Sequence, residues 1–109
     1  MQTYKSKTRT VLSETADLPM CGIYILAYMG RVVYVGKATS GIAQRLEQHI
    51  ENRLYELLGY WMYMLQMDWV NIRLDVLEAP DDGTDYWLRE AEARLIRRFN
   101  PLFNVMNMA

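Results

Sequence analysis

Two runs of branched and aromatic residues, separated by a short turn, constrain the fold of this chain more than any other feature. Residues 22–28 (Gly-Ile-Tyr-Ile-Leu-Ala-Tyr) and residues 31–35 (Arg-Val-Val-Tyr-Val) have the composition of β-strands. Met29 and Gly30 lie between them, and glycine adopts the turn conformations that other residues avoid. The sequence therefore predicts a β-hairpin here.

The length of the hairpin loop decides on which faces of the sheet Tyr24 and Tyr34 lie. In a regular ladder, a two-residue loop at residues 29–30 would place the two rings on opposite faces. A three-residue loop at residues 28–30 would place them directly opposite each other on one face. Such loops often end in a left-handed residue, which suits Gly30. We therefore predict the three-residue loop, with both tyrosines on one face.

Hydrophobic periodicity predicts two helices and a third strand after the hairpin. Apolar residues recur at intervals of three and four, as one buried helix face requires, at Ile42, Leu46, Ile50, Leu54 and Leu57. Residues 70–76 alternate apolar and polar side chains, the period of a half-buried strand. A second helix follows the turn at residues 80–83 and ends before Pro101. Residues 60–68 have no clear assignment.

The order of strand, strand, helix, strand and helix predicts an α+β fold, a small three-stranded antiparallel sheet flanked by helices. The chain has 109 residues, and a single domain typically takes about 100–200 residues. We therefore expect one domain, at residues 20–109. Residues 1–19 are interpreted as a polar N-terminal arm.

Composition and charge restrict the class of protein. Cys21 is the only cysteine in the sequence, so an intrachain disulfide is impossible and a cytoplasmic location is favoured. No apolar run approaches the roughly 20 residues that cross a bilayer, so we expect no membrane segment. The formal net charge of −1 argues weakly against nucleic-acid binding, which usually needs a basic surface. However, residues 89–98 contain four arginines and only two glutamates.

Two tripeptides in the hairpin resemble the motifs that name the GIY-YIG nuclease family. Residues 22–24 (Gly-Ile-Tyr) are similar to the GIY element, and residues 34–36 (Tyr-Val-Gly) are similar to the YIG element with a common valine variant. Lys37 follows directly, as it does in many family members.

The family's other positions also have counterparts at the family's spacing. Arg45 and His49 lie one turn apart in the first predicted helix. Glu92 begins the segment Glu-Ala-Arg-Leu-Ile, which is similar to the family's glutamate helix, and Pro101 and Asn104 follow at the usual distance. The resemblance covers most of the chain. It implies an endonuclease that hydrolyses DNA and leaves a 5′ phosphate and a 3′ hydroxyl.

The resemblance implies catalytic roles for four of these residues. Tyr24 would be the general base, and Tyr34 would hold or polarise the attacking water, but the reverse assignment stays open. Arg45 would bind the scissile phosphate with its planar fork of donors. His49 would hydrogen-bond the phosphate or orient a tyrosine.

Glu92 is the candidate catalytic carboxylate and metal ligand. Leu88 and Ile96, four residues to either side, are apolar, so Glu92 lies on the helix face that points towards the sheet. One carboxylate can hold one divalent cation whose other ligands are waters and phosphate oxygens. The resemblance therefore implies one Mg²⁺ or Mn²⁺ per active site. We expect the catalytic residues together near one face of the sheet.

Three residues are candidates for substrate binding. Lys37 would contact a phosphate beside the cut. Asn104 would fix the active-site backbone or the glutamate. Gly36 would permit close backbone approach beneath the tyrosines, and on the predicted register it faces Gly22.

The leading function is thus a metal-dependent DNA endonuclease. The alternative is a non-catalytic nucleic-acid-binding module on the same fold, or a subunit directed by a partner protein. The complete set of catalytic residue types argues against the non-catalytic module. Self-association through aromatic residues at Trp61, Tyr63 and Trp69 is compatible with the nuclease, because a homodimer would bring two active sites to one duplex.

Overall fold

The chain forms an antiparallel sheet with helices on both faces, which confirms the predicted α+β class. The computed structural model describes residues 3–5, 18–51, 58, 62, 64–66, 71–82 and 84–107. The elements are β1 (Thr3–Lys5), β2 (Gly22–Tyr28), β3 (Arg31–Ala38), α1 (Ile42–Glu51), β4 (Ile72–Glu78), α2 (Thr84–Phe99) and α3 (Leu102–Asn107). The predictions for Leu54, Leu57, Val70 and the aromatic residues Trp61, Tyr63 and Trp69 lie outside the described residues. No helix in the described ranges is long and apolar enough to span a membrane.

The sheet has the strand order β1-β4-β2-β3, so β3 is one of its edges. The three predicted strands, β2, β3 and β4, are adjacent and antiparallel. A fourth strand, β1, pairs antiparallel with β4 and places Tyr4 opposite Val76. Because β1 comes from residues 1–19, part of the predicted arm belongs to the sheet.

The loop of the β2–β3 hairpin has two residues, so the predicted three-residue loop is wrong. Tyr28 pairs with Arg31, and Met29 and Gly30 form the turn between them. Both turn residues have positive φ angles, 52° for Met29 and 80° for Gly30. This is the backbone of a tight turn whose twist matches that of the flanking strands.

A β-bulge in β3 keeps the two tyrosines on one face despite the shorter loop. The ladder shifts by one residue at Val33, which is extra on the β3 side. After the shift Tyr24 lies opposite Gly36, two residues from Tyr34, so both tyrosines point to the same side. The prediction that they share a face is confirmed. Gly22 does not face Gly36, so the predicted pairing of these glycines is wrong.

The sheet separates two apolar clusters, because successive residues of β2 point to opposite faces. On the α1 side, Leu26 packs with Leu46 of α1 and with Phe103 of α3. On the α2 side, Ile23 packs with Leu88 of α2. All five side chains are at most 1 % exposed, and complete burial of such a side chain contributes about 1.5–3 kcal/mol. These two layers fix α1 and α2 on opposite faces of the sheet.

Pro101 ends α2, as the sequence predicts. Asn100 follows the last helical residue with a φ angle of 46°, and its N–H donates to the carbonyl of Ile96 at 2.8 Å. Asparagine tolerates this left-handed conformation at the end of a helix. The chain then turns into α3, which lies against β3.

Candidate active site at the edge of the sheet

A buried tyrosine–histidine pair lies on the α1 side of the sheet. Tyr24 comes from β2 and His49 from the last turn of α1, and each is only 1 % exposed. Tyr24 Oη and His49 Nε2 are hydrogen-bonded at 2.8 Å. This bond agrees with one of the two predicted roles of His49, the orientation of a tyrosine, which stays a prediction.

The imidazole of His49 is neutral at physiological pH. Burial, together with the nearby charge of Arg45, lowers the pKa of His49 to about 3. A neutral imidazole ring has a nitrogen that can accept a hydrogen bond from the Tyr24 hydroxyl, whereas an imidazolium has none. The pair therefore holds the Tyr24 hydroxyl without placing a positive charge in the core.

Gly36 makes room for the ring of Tyr24. The two residues are opposite each other in the ladder, and a Cβ atom at position 36 would overlap Cζ of Tyr24. Gly36 is itself buried beneath that ring. The close approach that Gly36 permits within the fold is to Tyr24, and its contact with substrate stays a prediction.

Tyr34 completes an aromatic cluster with this pair. Its ring centroid lies 6.0 Å from that of Tyr24 and 5.6 Å from that of His49, which it meets edge-on at 75°. Tyr34 is partly exposed, whereas Tyr24 is buried. Tyr24, predicted as the general base, is therefore shielded from solvent, and Tyr34 is the tyrosine that a solvent water can reach.

Asn104 binds the backbone of β3 between Tyr34 and Gly36. The Val35 N–H donates to Asn104 Oδ1 at 2.7 Å, and Asn104 Nδ2 donates to the Val35 carbonyl at 2.8 Å. The side chain is 7 % exposed. These bonds agree with the predicted role of Asn104 in fixing the active-site backbone, and its contact with substrate stays a prediction.

Glu92 and Lys37 lie on the face of the sheet opposite the tyrosines. Lys37 alternates with Gly36 along β3 and therefore points to the α2 side. Lys37 Nζ is 4.0 Å from Glu92 Oε1. The prediction that Glu92 points towards the sheet is confirmed. The expectation that all catalytic residues lie near one face is wrong, since α1 and α2 cover opposite faces.

The Glu92 carboxylate is in a partly desolvated position. Burial raises its pKa above the ordinary value, and the charge of Lys37 opposes that shift. The side chain of Glu92 is 25 % exposed, and that of Lys37 is 47 % exposed. A further cation at this carboxylate would favour its charged form.

The residues on the α1 side of the sheet and those on the α2 side meet at the edge formed by β3. An open cleft of ≈ 300 Å³ lies where β3 passes into α1, and Lys37 and Arg45 both line it. Lys37 reaches it from the α2 side of the sheet and Arg45 from the α1 side. Because β3 has no further strand beside it among the residues that the structure describes, a phosphate in the cleft could contact side chains from both faces.

Sequence reasoning missed Gln48, which also lines the cleft. Arg45 Nη1 donates to Gln48 Oε1 at 3.0 Å. The three-residue spacing was the available signal, because it places two side chains on one side of a helix. Gln48 therefore helps to orient the guanidinium.

The donor atoms of the site suit a hydrated hard cation. No group of three or more His, Cys, Asp or Glu side chains converges anywhere in the described part of the chain. Mg²⁺ keeps several waters and is commonly held by one or two carboxylates together with phosphate oxygens. Glu92 fits that pattern, whereas a zinc site would need a larger set of protein ligands.

Solved structures share this architecture. The GIY-YIG N-terminal endonuclease domain of UvrC from Thermotoga maritima, bound to its catalytic divalent cation magnesium, has a TM-score of 0.62 to this chain at 18 % identity. The match covers 85 % of this chain and 93 % of that chain. This chain has the GIY-YIG nuclease-domain fold.

Two point mutants of that UvrC domain, both bound to the catalytic divalent cation, match the GIY-YIG fold of this chain equally well. An asparagine-to-alanine mutant is 18 % identical, and a tyrosine-to-phenylalanine mutant is 17 % identical. Each covers 85 % of this chain and 92 % of its own, with a TM-score of 0.62. No protein-family profile and no curated protein sequence matches the chain.

Replacement of Gly36 by alanine is expected to destabilise the fold by about 1–3 kcal/mol, because the added methyl group overlaps the Tyr24 ring. Urea unfolding measures the change. The control is the same substitution in a Tyr24→Leu background, which lacks the overlapping atoms and should tolerate it better. An equal cost in both backgrounds would contradict the packing of Tyr24 on Gly36.

His49 is expected to make folding stability depend on pH. Its pKa is about 3 in the folded protein, against the ordinary value of 6.5 in the unfolded chain, so the unfolded state binds the proton first as the pH falls. The stabilisation is fully present above pH 6.5 and is lost as the pH falls towards 3, by about 1.4 kcal/mol per pH unit.

Urea unfolding of wild type and His49→Gln at pH 7 and pH 5 measures this loss. Wild type should lose about 2 kcal/mol more than the variant between the two values. Parallel pH profiles for the two proteins would show that His49 is not buried in its neutral form.

Proposed function

We propose that this protein is an endonuclease that hydrolyses DNA phosphodiester bonds with the help of a divalent metal. The observation that carries the proposal is the cleft at the β3 edge, where Lys37 and Arg45 approach from opposite faces of the sheet. Tyr34 flanks the edge on one face and Glu92 on the other. Phosphodiester hydrolysis needs charge stabilisation on the phosphate, a positioned water and relief of charge on the leaving oxygen.

Arg45 and Lys37 bind the DNA phosphate. The guanidinium of Arg45 presents parallel donors that match two phosphate oxygens, and its bond to Gln48 restricts its orientation. Lys37 supplies a second positive charge at the cleft. Both charges are most useful as negative charge develops on the phosphate in the transition state.

Tyr34 acts on the attacking water. Its partial exposure supports this assignment over Tyr24, which is buried against His49. In its ionised, phenolate form, Tyr34 orients the water and takes up its proton, which restores the neutral phenol. Tyr24 and His49 pack against the Tyr34 ring and hold it in place.

Glu92 would hold one Mg²⁺ or Mn²⁺, with waters and phosphate oxygens as its other ligands. When bound, such an ion stabilises negative charge on the phosphate and on the leaving oxygen. The partial burial of Glu92 and its raised pKa support this role, because a cation offsets the cost of the desolvated charge. The magnesium that the UvrC domain binds on the same fold also supports it.

DNA is the proposed partner. The oligomeric state that the reaction requires depends on whether one strand or both strands are cut. One copy has the groups for one cut at a time, so cleavage of both strands at one place calls for a homodimer or a partner protein with a second site. The similar UvrC structures are N-terminal domains of a larger protein. This supports a nuclease that acts together with further domains or a partner protein.

Nicking of supercoiled plasmid in the presence of Mg²⁺ tests the function. Glu92→Gln is expected to lower the rate by at least about 10²-fold, because it removes the charged metal ligand. The matched control is Glu90→Gln, a change on the exposed side of the same helix, which should nick like wild type.

Equal nicking by Glu92→Gln and wild type would contradict the role of Glu92. DNA binding by fluorescence anisotropy is measured in parallel. Binding without any nicking by wild type would favour the non-catalytic nucleic-acid-binding module instead.

A further inference from the structure

The backbone of β3 presents a hydrogen-bond donor at the cleft in addition to the side chains. In an antiparallel ladder, the N–H and C=O groups of successive residues point alternately to the two sides of a strand. Val35 directs both groups to the outer edge, where Asn104 binds them. Gly36 therefore points its groups inward to β2, and Lys37 points its groups outward again.

The Lys37 amide is available to a ligand. β3 is an edge strand, and Asn104 bonds only the backbone of Val35. Within the described ranges, the Lys37 N–H has no backbone or side-chain acceptor. Lys37 and the three residues after it line the cleft that Arg45 also lines. The outward N–H thus lies beside two cationic side chains.

We propose that the backbone N–H of Lys37 donates a hydrogen bond to a non-bridging oxygen of the nucleic-acid phosphate bound at the β3 edge. The inference rests on the proposed function, because it takes the ligand to be a phosphodiester. The ladder with β2 fixes the direction of this N–H, and the Asn104 bonds fix the strand two residues earlier. A donor held in place before the reaction stabilises developing charge better than a mobile one.

The backbone contact can be separated from the Lys37 side chain by two substitutions. Lys37→Ala removes the ammonium group and keeps the N–H, whereas Lys37→Pro removes both. Proline is tolerated on edge strands where the N–H faces away from the ladder. Nicking by Lys37→Pro should be at least about 10²-fold slower than nicking by Lys37→Ala, the usual cost of losing one such donor. Equal rates for the two variants would overturn the proposal.

Nuclear magnetic resonance of the ¹⁵N-labelled full chain tests the same contact without catalysis and without a variant that could misfold. A short DNA duplex is added in the absence of divalent metal. The resonance of the Lys37 amide proton should shift downfield, and this proton should exchange more slowly with solvent, because it becomes hydrogen-bonded to the phosphate. The amides of Val35 and Gly36 are already bonded within the fold and serve as internal controls, with smaller changes.

The outcomes separate this proposal from the proposed function. If DNA shifts the signals of the Arg45 side chain but not that of the Lys37 amide, the backbone contact is overturned. If no signal at the cleft responds, both the contact and the DNA-directed function fail. If the Lys37 amide responds and wild type does not nick plasmid, the contact stands and the catalytic function fails.

Discussion

The hydrogen bonds between the Asn104 side chain and the backbone of Val35 hold the edge strand on which the candidate site is built. An edge strand has one row of backbone groups without a neighbouring strand, and Asn104 satisfies one residue of that row from inside the fold. Each bond contributes about 0.5–1.5 kcal/mol, but an unsatisfied buried group costs about 1–3 kcal/mol. The two bonds therefore fix the strand at the residue between Tyr34 and Gly36.

The site uses both faces of a thin sheet at its open edge. Alternation along β3 sends the side chain of Tyr34 towards α1 and that of Lys37 towards α2, where Glu92 lies 4.0 Å from its ammonium group. On the α1 side, burial keeps His49 neutral behind the tyrosines. On the α2 side, burial disfavours the charge of Glu92. The charges that face a phosphate are thus concentrated at the cleft rather than spread through the core.

The sequence predicts the elements and the residue types of the site better than it predicts their arrangement. The shared face of Tyr24 and Tyr34 is correct although the loop is one residue shorter than predicted, because the bulge at Val33 restores the alternation. No local pattern marks that bulge. Periodicity places Glu92 towards the sheet but cannot say which face its helix covers. The burial of Tyr24 depends on how deeply α1 packs, which is a tertiary property.

The most direct measurement is a double-mutant cycle between the two faces of the sheet, with Arg45→Lys and Glu92→Asp as mild changes and the DNA nicking rate as the readout. If both residues act on one phosphate at the β3 edge, the combined loss will be smaller than the product of the single losses, because the two act as a unit. Losses that multiply would show independent residues and would contradict a single site shared by both faces.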